Sequence, residues 1–205
     1  KIKDNKINGR ALFVLDARDS SHLIFADKNG IIGVVSSEAE GVEIIGLTTV
    51  DKTRSYSEIK LTNVDVDVLE MTLSSIEAVE KSIDAGRIIL AADSLGASQT
   101  LINKAVEYSK ERKQFGRVIG SFQAVKHMCA EMTAELEPCY SLVWHAAHCF
   151  DSSPEEARLM ACYAKSHVSE VSKMVGKKAT EVHGGMGFTD LMGVHFWFKR
   201  IGVNR

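Results

Sequence analysis

Hydrophobic positions change their period once along this chain. Over residues 8–68 they come in short runs: "ALFVL" (11–15), "HLIFA" (22–26), "GIIGVVSS" (30–37), "GVEIIGLTTV" (41–50) and "SYSEIKLTNVDVDV" (55–68). The last run alternates, with polar residues set between Tyr56, Ile59, Leu61, Val64 and Val66. Turn signals separate the runs: Asp27-Lys28-Asn29-Gly30, Glu38 to Gly41, and Asp51 to Arg54. Short strands at this spacing predict a small sandwich or barrel.

From about residue 74 the period becomes helical. Ser74 to Glu111 contains no proline, and Ile88, Ala91, Ala92, Leu95, Ile102, Ala105 and Val106 form an apolar stripe. A second helix is predicted from about Phe122 to Phe150, with Val125, Met132, Leu136, Tyr140, Val143 and Ala147 inward and a kink at Pro138. The third begins at Ser153-Pro154-Glu155-Glu156, where Ser153 and Glu156 have the spacing of a capping box and Pro154 suits the first helical position. Its stripe is Ala157, Ala161, Ala164, Val168, Val171, Val175, Ala179 and Val182, and it stops at Gly184-Gly185. Long helices joined by short corners predict an antiparallel bundle. The fold expected is therefore α+β: a partial β-barrel over residues 1–70, then a long-helix antiparallel domain over 71–205.

Composition narrows the function classes. The net charge of −2 gives no basic field for nucleic acid. No apolar run approaches the roughly 18 residues of a membrane span, and the polar start "KIKDNKINGR" lacks a signal-peptide core. Cys129, Cys139, Cys149 and Cys162 show no metal-type spacing, which suits reduced thiols in a cytoplasmic protein. His145 and His148 share one helix, but no third ligand has matching spacing, so no metal site is expected.

Two stretches carry candidate chemistry. In "YSKERKQFGRVIGSFQAVKHMCAEM" (108–132), a basic bend joins the first two helices. Arg112 offers a planar fork of donors for phosphate, and Gly116 and Gly120 permit close backbone approach. Phe115 and Phe122 can form an apolar wall, Gln114 and Gln123 add amide groups, and the following helix N-terminus favours an anion. The set suits a ligand with a phosphate end and a flat aromatic end. It also suits a solvated helix corner with Arg112 paired to a glutamate. "HGGMGF" (183–188) is a second glycine-rich stretch, weak by itself.

Together "LGASQTLINKAVEYSKERKQFGRVIGSFQAVKHMCAEM" (95–132), "ATEVHGGMGFT" (179–189) and "NGRALFVLDARDSSHLIFA" (8–26) resemble the acyl-CoA dehydrogenase family. The resemblance covers nearly the whole chain. It implies a middle β-barrel and a C-terminal four-helix bundle with FAD between them, in dimers or tetramers whose subunits share the flavin site. It implies an acyl-CoA substrate, loss of an α-proton to an acidic residue, hydride transfer to the flavin, and an electron-transfer acceptor protein. Arg112 matches the arginine that meets the FAD pyrophosphate across the subunit interface, with Gln114 and Phe115 as flavin-contact neighbours. Phe122 and Gln123 match a pair near the adenosine half. Glu181, Gly184 and Gly185 match a Gln-x-x-Gly-Gly segment, with Glu181 departing from the pattern. Asp84 and Arg87, in "DAGR" (84–87), match a stretch that touches the acyl chain. One family base position falls on Gly86. The usual one lies in a loop expected to begin about where the chain stops at Arg205. The family's N-terminal helical domain has no counterpart here. The expectation is a fragment or one part of a split enzyme, with no catalytic residue assigned. The alternative is a non-catalytic subunit or scaffold that completes a partner's flavin site.

Overall fold

β-Branched runs bounded by turns become antiparallel strands, and the proline-free, alanine-rich remainder becomes helix. The computed structural model describes residues 2–70 and 75–205. The chain divides into two compact units, Lys1–Ser82 and Ile83–Arg205. The expected boundary at residues 70–71 and the expected helix start at 74 border on, or lie in, segment 71–74, outside the described residues.

The first unit holds β1 (Ile2–Lys3), β2 (Lys6–Leu15), β3 (His22–Ala26), β4 (Ile32–Ser36), β5 (Val42–Leu47), β6 (Tyr56–Asp65) and β7 (Asp67–Val68). One sheet runs β1-β2-β6-β5 and the other β3-β4-β7, and the two do not close into a barrel. Ile59, Leu61, Val64 and Val66 are buried with Ile2, Ile7, Leu23 and Val35. Strict alternation fails at Ser57 and Glu58, which are buried beside Ile59. There β6 pairs on both sides, and Glu58 accepts a hydrogen bond from Arg10 Nε. Tyr56 is only half-buried.

The helices are α1 (Ser75–Glu111), α2 (Gln123–Ser152), α3 (Pro154–His183) and α4 (Val194–Asn204). The division between units falls inside α1. The apolar stripes meet in one cluster that includes Leu95, Leu101, Met132, Leu136, Val168 and Val175. Several positions differ from the sequence expectation. Ala92 is exposed, and Ala97 and Leu101 take its place in the core. On α2 Met132, Leu136 and Val143 are buried as expected, joined by Cys139, Ala146 and Cys149, while Val125, Tyr140 and Ala147 are half-buried. The assigned helix is unbroken across Pro138.

The capping box at Ser153 does not form. Its side chain makes no cap hydrogen bond. Its backbone does the work instead: the Ser153 carbonyl accepts from the N–H groups of Glu156 and Ala157 at 3.0 and 3.1 Å. With only Ser153 between the two helices, that residue's N–H is also bound to the Cys149 carbonyl, at 2.9 Å. The Glu156 N–H that a capping hydroxyl would receive is thus already taken by the carbonyl.

The fourth helix, α4, was not anticipated from periodicity. Its 11 residues are anchored by Val194 and Ile201 and by a polar network to α1. Arg200 donates to both Asp93 carboxylate oxygens, Nε to Oδ2 at 2.9 Å and Nη2 to Oδ1 at 2.7 Å. Asn204 donates to Asp93 Oδ2 at 2.5 Å.

Candidate functional site

The bend between α1 and α2 is a β-hairpin rather than a plain helix corner. Strands β8 (Lys113–Gln114) and β9 (Arg117–Val118) pair Gln114 with Arg117 and Lys113 with Val118. The two-residue loop is Phe115-Gly116, with φ of +52° and +78°. Both residues at positive φ make this the turn whose twist matches a hairpin, and glycine or asparagine are its preferred residues. A phenylalanine there is strained, at roughly 1–3 kcal/mol. Phe115 is also 91% exposed, so no burial offsets that strain within this chain.

The aromatic wall is partly assembled. Phe115 and Phe122 meet edge to face, 6.2 Å between centroids. Arg117, which motif position leaves without a role, lies over the Phe122 ring at 4.0 Å. Arg112 is exposed, and among the described residues its guanidinium has no hydrogen bond or ion pair. The glutamate pairing open at the sequence level is therefore not the one adopted. Gln114 and Gln123 are exposed as well, and Gln123 Nε2 sits 3.4 Å from His127 Nε2. Phe122, the residue that precedes α2, makes no side-chain cap hydrogen bond, so the first N–H groups of the helix have no cap from it.

The glycines divide by role. Gly116 has open space where a Cβ would stand. Gly120 instead packs against this chain itself: a Cβ there would lie 2.8 Å from the Ser109 carbonyl oxygen. Beside the hairpin is a recess of about 440 Å³, lined mostly by apolar groups including Val106, Val118, Val125 and Cys129.

The second stretch lies at the same end of the bundle. α3 stops at His183, Gly184 takes φ of +58°, and the chain continues as a tight helical turn, Gly184–Phe188. Nothing lies within 4 Å of an ideal Cβ on Gly184 or Gly185. Their backbone is open to close approach. Gly187 differs, since its Cβ would lie 2.9 Å from the Thr180 carbonyl oxygen. Glu181 is exposed on the last turn of α3.

His183 ties the two stretches together. Its ring stacks on Tyr108 of α1 at 4.6 Å. Its Nδ1 is 2.7 Å from the Ala179 carbonyl, so Nδ1 carries the proton and Nε2 is left buried without a partner. Burial pushes the pKa down, the Ala179 carbonyl opposes this, and Lys104 adds to it. Protonation would place a second N–H where nothing accepts it. Tyr108 had no sequence signal beyond sitting in the basic stretch. Phe188 and Leu191, exposed just past the glycines, were also missed. An apolar residue following a glycine run, with no periodic neighbour, is the signal that could have flagged them.

Asp84 and Arg87 stand apart from this end. They form an ion pair with each other one turn apart on α1, Asp84 buried and Arg87 half-buried. With 1.5 Å of rise per residue, α1 carries them roughly 40 Å from Arg112. The chain therefore does not bring the two groups of candidate residues into one site. Among the described residues nothing lies within 4 Å of an ideal Cβ on Gly86, so no carboxylate reaches that point.

These features fit a flavin dinucleotide in kind: an unpaired guanidinium for pyrophosphate, exposed aromatic and amide groups, and open glycine backbone. Comparison with known proteins gives independent ground. Residues 76–205 match the sequence model of the C-terminal domain of acyl-CoA dehydrogenases, a family of FAD-dependent flavoproteins. A 3-(aryl)acrylate reductase from Clostridium sporogenes is 34% identical over 203 residues, covering 89% of this chain and 52% of the relative. The CarC subunit of a caffeyl-CoA reductase-Etf complex from Acetobacterium woodii is 40% identical over 108 residues, 53% of this chain and 28% of the relative. Butyryl-CoA dehydrogenase of Megasphaera elsdenii superposes with a TM-score of 0.87 at 25% identity, over 98% of this chain and 57% of that one. The chain thus spans about half the length, or less, of these relatives. Among the described residues no helix is long and apolar enough to cross a membrane.

Proposed function

This chain belongs to the acyl-CoA dehydrogenase family, and we propose that it is the flavin-facing C-terminal portion of an enzyme that dehydrogenates acyl-CoA thioesters between the α- and β-carbons. The observation that carries this reading is the hairpin: a strained, solvent-facing Phe115 beside an Arg112 with no partner in its own chain. Folding alone rewards neither. When bound, FAD accepts a hydride from the β-carbon.

The chain's own residues hold and orient. Arg112 would hold the pyrophosphate, its planar guanidinium being suited to phosphate oxygens. Phe115 and Phe122 wall the flat end, and Gln114 and Gln123 bind polar edges. Gly184 and Gly185 let backbone approach the cofactor. Glu181 is an acceptor, so it suits a hydroxyl rather than a phosphate. Asp84 and Arg87, locked together, shape the acyl-chain side. Asp84 is no base here, because its carboxylate is engaged by Arg87 and a base must reach within about 3 Å of the proton it takes. The 205 residues alone are therefore expected to hold ligands without turning over. An electron-transferring flavoprotein is the acceptor proposed, in line with the Etf in the name of the Acetobacterium woodii relative, and the cytoplasm is the proposed compartment.

The test is anaerobic mixing of the FAD-loaded full-length protein with short-, medium- and long-chain acyl-CoA. Bleaching of the flavin band with at least one chain length is expected. An unchanged spectrum with all of them would reject dehydrogenation and favour a subunit that only completes a partner's flavin site. The chain of 205 residues supplied with FAD is expected to stay unbleached throughout.

A further inference from the structure

The turn between α2 and α3 gathers three side chains that the flavin reading does not use. Ligand atoms of His145, Cys149 and Glu156 all lie within 4.8 Å of one another. His145 and Cys149 share a helix face at i,i+4. Cys149 Sγ stands 3.6 Å from His145 Nε2. Zinc bonds of about 2.05 Å to nitrogen and 2.3 Å to sulfur, at a tetrahedral angle, put those two atoms about 3.5 Å apart. The helix already spans one edge of a zinc tetrahedron.

Glu156 approaches from the other helix, and the backbone fixes its place. The Ser153 N–H donates to the Cys149 carbonyl at 2.9 Å, and the Glu156 N–H donates to the Ser153 carbonyl at 3.0 Å. Two hydrogen bonds thus connect the cysteine to the glutamate across the turn. Cys149 is buried, while His145 and Glu156 are exposed. A cation there would have sulfur on its inner side and solvent access on its outer side.

We propose that His145, Cys149 and Glu156 bind one divalent cation of the zinc type, with water in the fourth position, and so clamp the α2–α3 turn. Thiolate and imidazole select zinc over magnesium or calcium, which take oxygen ligands. Sequence spacing did not reveal the site because it directed attention to His145 with His148 on one helix. The third ligand comes from across the turn, at a separation that matches no linear motif.

The experiment uses metal-stripped, reduced full-length protein, dialysed against zinc and then assayed for bound metal, with cobalt as the optical probe. One zinc per chain is expected at this site, with a rise in melting temperature. Cobalt should give tetrahedral visible absorption and a thiolate charge-transfer band. Cys149→Ser and His145→Ala should each weaken zinc binding by more than the roughly 10- to 100-fold that losing an outer-shell partner causes. Circular dichroism verifies that each variant folds, and His145→Ala, at an exposed position, keeps the test decisive if Cys149→Ser does not. Cys162→Ser and His148→Ala should bind as the parent does. The proposal is overturned if the parent protein retains no zinc. It is equally overturned if cobalt shows no thiolate band, or if binding survives His145→Ala unchanged.

Discussion

At the scale of single residues, the candidate site rests on strain and unmet valence. Phe115 holds a left-handed conformation in solvent, and replacing it separates folding from binding. Phe115→Gly removes strain of roughly 1–3 kcal/mol and costs roughly 0.5–1 kcal/mol in backbone entropy of the unfolded chain, so stability should hold or rise by up to about 2.5 kcal/mol. Flavin affinity should fall by about 1 kcal/mol, the scale of one aromatic contact. Denaturant unfolding and flavin titration of the same variant check both halves. A variant that loses stability and keeps its flavin affinity would make Phe115 a folding residue. Residue identity was also the most legible level of the sequence. Arg112, Phe115 and the double glycine were named from chemistry and resemblance alone. The stacking of Arg117 on Phe122 and of His183 on Tyr108 was hidden, because both depend on side chains brought together by the hairpin and by helix packing.

At the scale of elements, periodicity located the long helices and most strands, since each presents a repeated apolar face over many residues. It failed for short elements. The hairpin has only two residues per strand, and α4 has 11 residues whose surface mixes aromatic and basic groups. What holds α4 is polar as much as apolar, namely the Asp93 carboxylate shared by Arg200 and Asn204. Such a long-range network leaves no local pattern. Asp93→Ala removes the carboxylate that Arg200 and Asn204 share and should destabilise the bundle by about 2–4 kcal/mol. Thermal or urea unfolding measures this, and a loss under 0.5 kcal/mol would mean that Val194 and Ile201 suffice to seat the helix.

At the scale of the whole molecule, α1 itself argues for association. It separates Asp84 and Arg87 from Arg112 by roughly 40 Å, so the two ends serve different cavities unless another copy brings them together. Large apolar side chains are also left on the surface, among them Trp144 at 75%, Phe188 at 79% and Leu191 at 83% exposed. A homo-oligomer, dimer or tetramer, is the arrangement proposed. Light scattering on the full-length protein should report more than one chain per particle, and a monomer at working concentration would contradict it. In the sequence this level was carried by the family resemblance alone, because a position on a stripe does not say whether its own chain or another covers it.

The claim on which the rest depends is that the α1–α2 hairpin holds FAD through Arg112. Equilibrium titration of FAD into the full-length assembly, comparing Arg112→Ala with the exposed control Lys177→Ala, tests it most directly. Loss of a charge-assisted pair to phosphate should weaken binding in Arg112→Ala by about 1.5–3 kcal/mol, roughly 10- to 150-fold, and leave Lys177→Ala unchanged. Equal affinities for the two variants would contradict the account.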